Sequence, residues 1–218
     1  MVGAMKSMRT HARNAAAVAA VGALAVGIVS IPAAPAHAAD MITAADQAYF
    51  SYYGLDRARA KGYTGKGVTI AMIDGKVDTS VPELAGANIT VKIPCTITTS
   101  PSVESHGTGV ASILVSADYG VAPKVSLLAY QGNFGGNGDR GASDCDQPGG
   151  VGKDSQPWLL NSAMNDGAQI INLSASTPNE YKELKWVTAR AIAQQVILVN
   201  AAGNDSTNDD DTSLSKWS

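Results

Sequence analysis

The sequence predicts an α/β fold in which a mostly parallel sheet is covered by helices on both faces. Three observations point there. Residues 68–73, Val-Thr-Ile-Ala-Met-Ile, form a nearly continuous apolar run, as a strand buried on both sides of a parallel sheet requires. Strand-length apolar runs alternate with helix-patterned segments through the body of the chain, the signature of parallel strands joined by crossover helices. The chain has 218 residues, 45% hydrophobic and 16% charged. That is enough for one domain with a sizeable core, and it excludes global disorder.

Residues 1–38 read as a secretory signal. Lys6, Arg9 and Arg13 form its basic start, residues 15–31 are apolar, and Ala36-His37-Ala38 places small residues two apart, so cleavage is expected after Ala38. The alternative is a membrane anchor. The run is rich in Ala and Gly, only just long enough to span, and ends in Pro32 and Pro35, which favours the signal. No other membrane-length apolar stretch follows, so no stable membrane anchor is expected after cleavage.

Residues 46–61 carry a helix pattern with Leu55 and Ala58 on one face, stopped by Gly62. Tyr49, Phe50, Tyr52 and Tyr53 give it an aromatic start suited to packing on a larger body. A glycine-punctuated turn at 62–67 leads into the apolar strand, which ends in Asp74. A loop holding Asp78, Pro82, Glu83 and Leu84 leads to a short strand at 89–93. Residues 94–103 read as a Thr/Ser/Pro loop, and a helix carrying His106 follows. Residues 120–123 close that unit, and 125–130 make another short strand. The stretch 131–153 is rich in glycine, lacks periodicity and reads as a long surface loop. No Gly-Lys-Ser/Thr opens a helix in it, so it is not a phosphate-binding loop.

Ser155 and Pro157 begin the next helix, with Trp158, Leu159, Leu160, Ala163 and Met164 inward, ended by Gly167. Residues 169–174 form a strand, and 179–195 an amphipathic helix using Leu184, Val187, Ala191 and Ile192. A buried strand at 196–202 breaks at Gly203-Asn204. Residues 205–218 are a polar tail with acids at Asp209, Asp210 and Asp211.

Two side chains stand where chemistry is done. Asp74 ends a buried strand, where open α/β sheets place ligands and catalytic groups. An isolated aspartate there is more often a helix cap or turn former. His106 lies in Glu104-Ser105-His106-Gly107-Thr108-Gly109-Val110-Ala111-Ser112-Ile113-Leu114. Gly107 and Gly109 admit close approach of other backbone. Val110, Ala111, Ile113 and Leu114 recur at helical spacing, so the turns after the histidine are expected to be buried. A histidine at the rim of a packed helix is placed for general base work, although a helix start that merely carries a histidine also fits the segment alone. His11 and His37 fall in the leader, leaving His106 as the one imidazole of the mature chain.

These counts exclude several classes. A single mature histidine cannot supply the usual zinc-hydrolase ligands, and no Gly-x-Ser-x-Gly marks an esterase or lipase. The formal charge of −3 falls to −6 when Lys6, Arg9 and Arg13 leave with the signal. No basic surface is formed, so nucleic acid is not an expected partner. Export would bring Cys95 and Cys145 into an oxidising compartment, where they could pair. Closing that loop of about fifty residues would contribute about 4 kcal/mol in the chain-entropy model.

Three segments in one order carry a resemblance. Val68-Thr69-Ile70-Ala71-Met72-Ile73-Asp74, Ser105-His106-Gly107-Thr108-Gly109-Val110-Ala111 and Val199-Asn200-Ala201-Ala202-Gly203-Asn204 resemble the subtilisin-like serine proteases. The likeness covers about residues 49–204. It implies the subtilisin-like three-layer fold over residues 39–204. It also implies that Asp74 orients and charges His106, that His106 takes a proton from a serine, and that Asn204 donates its side-chain amide to the oxyanion. Residues Leu173, Ser174, Ala175 and Ser176 would form an edge along which an extended peptide pairs its backbone.

The chain departs from the family's pattern in places. Gly75 and Lys76 follow the aspartate where Thr or Ser and then Gly are usual, which would shift the turn or bring a cation near the carboxylate. Ser176 and Thr177 replace a frequent glycine pair and would narrow the first specificity pocket. The serine segment, Gly-Thr-Ser-Met/Ala-Ala-x-Pro, does not occur. The expectation is therefore the N-terminal two-thirds of a secreted endopeptidase domain, C-terminally incomplete, with residues 205–218 at the truncation point. It would be a monomer acting on peptide or protein substrates, and inactive by itself. No cofactor is required and no metal ligands are assigned, while structural calcium is left open. A non-catalytic secreted binding protein, a pseudoprotease on the same fold, is the alternative.

Overall fold

A computed structural model describes residues 42–132, 152, 155–174 and 182–201. The expected signal, most of the glycine-rich stretch and the acidic tail lie outside them. Five strands form one sheet: β1 Thr69–Asp74, β2 Ile89–Lys92, β3 Ser126–Gln131, β4 Ile170–Leu173 and β5 Ile197–Asn200. Their order is β2-β3-β1-β4-β5, and every pairing is parallel. The chain leaves central β1 toward one side for β2 and β3, then crosses to the other for β4 and β5. The reversal falls at β1, so the crevice beyond its C-terminal end is where this topology places ligands. Asp74 is the last residue of β1.

Helices cover both faces, as the alternation of segments requires. Helix α3, Pro101–Val115, lies on one face. Its Ala111 and Val115 pack on Ile70 and Met72 of β1 and on Leu127 and Ala129 of β3. Helices α4, Gln156–Asn165, and α5, Lys182–Ala193, lie on the other. There Leu159, Leu160, Ala163, Leu184, Val187 and Ala191 meet Ala71, Ile73, Ile171 and Leu173. Successive residues of β1 thus feed opposite cores, which is why its sequence is apolar without alternation. Met72 and Ile73 are fully buried, and truncating either to Ala is expected to cost about 2–5 kcal/mol.

On β5, Leu198 packs toward the α4–α5 side. By strand alternation Ile197 and Val199 face the other way, and they are 58% and 47% exposed. Among the described residues, helix α3 packs on β1 and β3 and not on this end of the sheet.

The segment expected as one helix over 46–61 and helix α3 differ from the sequence reading. The helix expected over 46–61 is a 3-10 turn, Ala44–Asp46, followed by two short helices, α1 Ala48–Tyr52 and α2 Leu55–Ala60. Gly54 separates them at φ 65°, a left-handed conformation that glycine adopts without penalty. Of its aromatics, Tyr49 donates to the Tyr119 carbonyl and Phe50 lies under the Arg59 guanidinium. Tyr52 and Tyr53 remain exposed and pack edge-to-face on each other. Helix α3 begins at Pro101, inside the expected loop, because Ser100 caps it by accepting from the Val103 N–H and proline suits the first helical position. His106 therefore sits in the second turn of the helix and not at its mouth. The buried stripe of α3 is Gly107, Ala111 and Val115, four apart, with Ser112 beside it, while Ile113 faces solvent.

Candidate active site

Asp74 closes β1 with its backbone still in the sheet: its carbonyl accepts from the Gly132 N–H, and its register partner is Gln131. Its side chain is almost wholly buried. Oδ1 accepts from the Gly75 N–H at 2.7 Å and lies 2.8 Å from His106 Nδ1. Oδ2 has no hydrogen-bond partner among the described residues. Burial pushes the Asp74 carboxyl above its ordinary value, against the His106 and Gly75 hydrogen bonds, which pull it down.

When Asp74 is ionised it can only accept, and the proton between the two groups then belongs to Nδ1. In the neutral ring that leaves Nε2 as the free base. The His106 side chain is 54% exposed, so the ring is held on one edge and open on the other. A base oriented by a buried carboxylate, with its reactive nitrogen accessible, can take a proton from an approaching hydroxyl or water.

The two residues meet because the loop after β1 lies against the side of α3. A Cβ added at Gly107 would stand 2.6 Å from the Lys76 carbonyl oxygen and 2.8 Å from that of Gly75. One added at Gly75 would stand 2.4 Å from Val103 Cγ1 and 2.6 Å from the Val103 carbonyl oxygen. Both positions must therefore lack a side chain. Gly109 meets nothing within 4 Å, so only the first of the two helical glycines serves the approach expected of both. Further along, the Asp78 N–H donates to Thr108 Oγ1 at 2.9 Å, and that hydroxyl donates to the Glu104 carbonyl at 2.7 Å. The Lys76 ammonium pairs with Glu104 Oε1 at 2.7 Å. It is not among the partners of Asp74. The unusual Gly75-Lys76 step thus brings loop and helix closer and sends its cation to the helix.

Other site residues fall as follows. Leu173 lies inside the sheet, paired with Ile73 on one side and Asn200 on the other, and its carbonyl accepts from the Ala201 N–H. Its side chain is in the core. The backbone of Leu173 is thus engaged within the sheet. Ser174, just past β4, accepts from Asn172 Nδ2 at 2.6 Å and is partly exposed. Ala175, Ser176 and Asn204 lie outside the described residues. Cys95 is disulfide-bonded, and Cys145 lies outside the described residues. Among the described residues no three His, Cys, Asp or Glu side chains converge to hold a metal ion. No described helix is long and apolar enough to cross a membrane.

Sequence reasoning passed over Glu104 and Thr108 as functional residues. Both lie on α3 in positions that reach the loop after β1. The signal available was the unusual Lys76 two residues beyond the aspartate, a charge in need of a partner.

The sequence and the fold both have known relatives. A family model described as the subtilase family, Peptidase_S8, matches residues 65–216. Subtilisin E of Bacillus subtilis is 28% identical over 166 residues, covering 70% of this chain and 40% of its own length. The major intracellular serine protease of the same organism is 30% identical over 166 residues, covering 70% and 48%. Among solved structures, the prenylagaramide maturation protease PagA superposes with a TM-score of 0.53 at 25% identity, over 70% of this chain and 51% of that one. The chain thus spans about half the length, or less, of these relatives.

Proposed function

Because this chain belongs to the subtilase family of serine proteases, we propose that it is part of a secreted endopeptidase that hydrolyses peptide bonds through an aspartate, a histidine and a serine. The observation that carries the reading is the 2.8 Å contact between His106 Nδ1 and a buried Asp74 at the C-terminal end of the central strand. In this reading Asp74 holds the imidazole in one tautomer and stabilises the imidazolium that forms when Nε2 takes a proton from the nucleophile. The same nitrogen returns that proton to the leaving amine. Asn204 is assigned on sequence as oxyanion donor, and a substrate strand would pair along residues from Ser174 onward.

The family's Gly-Thr-Ser does not occur in the 218 residues, and none of them is assigned as the nucleophile. The acyl group passes from the substrate to the serine as the amine leaves, then to water, and these steps require no cofactor. Secretion rests on the leader at 1–38 and on Cys95 being disulfide-bonded in a chain with two cysteines, Cys95 and Cys145. The family itself does not set the compartment, as one relative is named intracellular.

A fluorophosphonate probe, which bonds covalently to an activated serine, tests the proposal on the protein purified from its own source. Labelling that disappears in His106→Ala supports it. A folded protein that stays unlabelled favours the non-catalytic binding reading. The 218-residue chain alone is expected to stay unlabelled, because a histidine without a nucleophile retains only residual catalysis.

A further inference from the structure

We propose that Lys76 and Glu104 are positioning residues for the Asp74–His106 pair: their ion pair fastens the loop after β1 to the first turn of α3 and so fixes the distance between carboxylate and imidazole. The functional sense of this rests on the reading of His106 as the base. The geometric claim does not.

Lys76 is two residues beyond Asp74, and Glu104 is two residues before His106. The ion pair, 2.7 Å from Nζ to Oε1, therefore joins the same two segments as the Asp74–His106 contact. Side chains two apart on a helix do not face each other, so Glu104 holds the helix without competing for the imidazole. Lys76 has another acid nearby in Asp78, but Asp78 Oδ1 is engaged by the Ser80 N–H and hydroxyl at 2.9 and 2.6 Å. Glu104 also stands in the first turn of α3, where exposed backbone N–H groups favour a carboxylate.

The backbone makes such a tie necessary. Gly75 and Gly107 bring loop and helix together by leaving out side chains, so at these two positions only weak backbone dispersion holds the contact. The Asp78–Thr108 hydrogen bond holds the far end of the loop. Lys76–Glu104 holds the end nearest the aspartate. Both groups are partly exposed, 49% and 31%, so the pair adds little to global stability. Its effect is concentrated where two segments must stay in register.

The test reads the His106 Nδ1–H by NMR in the full 218-residue chain, with His106→Gln to assign the signal against His11 and His37. Lys76→Met and Glu104→Gln are each expected to speed exchange of that proton with water by about two- to fivefold, the scale of one exposed ion pair. The charge-swapped Lys76→Glu/Glu104→Lys double variant is expected to return it toward the wild-type rate. In the wild type, raising sodium chloride to 1 M is expected to speed exchange as the pair is screened, and Glu104→Gln is expected to show no such response. Unchanged exchange in the single variants, failure of the swapped pair to restore it, or a wild-type rate indifferent to salt would each overturn the proposal. None of these readouts involves the serine, so they stand apart from the fluorophosphonate result.

Discussion

Gly107 lies so close to Lys76 that a Cβ on it would come within 2.6 Å of the Lys76 carbonyl oxygen. The neighbour is backbone, which cannot swing aside, so Gly107→Ala must push α3 away from the loop. Overpacking of this kind costs about 1–3 kcal/mol, partly offset by the 0.5–1 kcal/mol that alanine gains over glycine in a helix, roughly. Gly109→Ala meets nothing and receives the helical gain alone. The expected outcome is a destabilised Gly107→Ala with a weakened Asp74–His106 contact, and a Gly109→Ala slightly more stable than wild type. Urea denaturation of the two variants side by side checks this, and equal stabilities would contradict the close approach.

Asp74 predicts a trade between stability and catalysis. Its folded carboxyl titrates above the ordinary value, chiefly through burial, so the folded state binds that proton more tightly than the unfolded chain does. Its favourable contribution is complete below the unfolded value of about 3.9 and is lost as pH rises through the folded value. At pH 7 the buried ionised group is therefore a cost. Asp74→Asn keeps an oxygen to accept from Gly75 and His106 while removing the charge. It is expected to melt at a higher temperature than wild type at pH 7, with the difference closing near pH 3.5. A lower melting temperature at pH 7 would show that the hydrogen bonds outweigh burial.

Tyr130 and Asp166 predict a window of pH. The tyrosine hydroxyl donates to Asp166 Oδ2 at 2.6 Å, and Lys92 Nζ lies 2.9 Å from the same oxygen. Burial first, and the carboxylate second, push the Tyr130 hydroxyl up. Tyr130 and then Lys92 hold Asp166 below its ordinary value. The lowered acid contributes stability above about pH 4 that disappears as pH falls through its folded value. The raised phenol contributes stability below about pH 10 that disappears as pH rises through its folded value. Tyr130→Phe is expected to cost about 1 kcal/mol between those limits and less outside them. A cost independent of pH from 3 to 8 would count against the ionised partner.

Much of this was legible in the sequence, and the reasons differ by element. The strand 68–73 announced itself because burial on both faces leaves an uninterrupted apolar run, and Asp74 marks where the run stops. The Asp74–His106 pairing joins residues 32 apart. No local pattern encodes it, and it came through resemblance of segments in order. The start of α3 was misplaced because Ser and Pro read as loop formers, yet Ser100-Pro101 is a cap and a first helical residue. The pairing of β4 with β5 could not be read from either segment, because strand order depends on β5 arriving from later in the chain. Lys76–Glu104 was invisible for the same reason as any tertiary ion pair: two charges in a sequence do not state their distance.

Arg59 predicts local and not global unfolding. Its guanidinium donates to the carbonyls of Ala117 at 3.1 Å and Asp118 at 2.7 Å, and also to that of Gly120, while stacking over Phe50 at 4.9 Å. These carbonyls belong to the turn just beyond α3. The segment it anchors has two other ties to that turn, the Ala44 N–H to Asp118 Oδ2 and the Tyr49 hydroxyl to the Tyr119 carbonyl. Helices α1 and α2 contain no buried residue, so few apolar contacts hold them and these polar ones decide whether they stay docked. Lysine keeps the charge but loses the planar fork that serves several acceptors at once. Arg59→Lys is therefore expected to raise hydrogen exchange in the amides of 44–60 by about tenfold, the loss of one charge-assisted hydrogen bond. Amides of β1 and β3 should exchange as before. Protection lost equally across the sheet would show that Arg59 supports the whole domain, and unchanged exchange at 44–60 would show that its charge alone suffices.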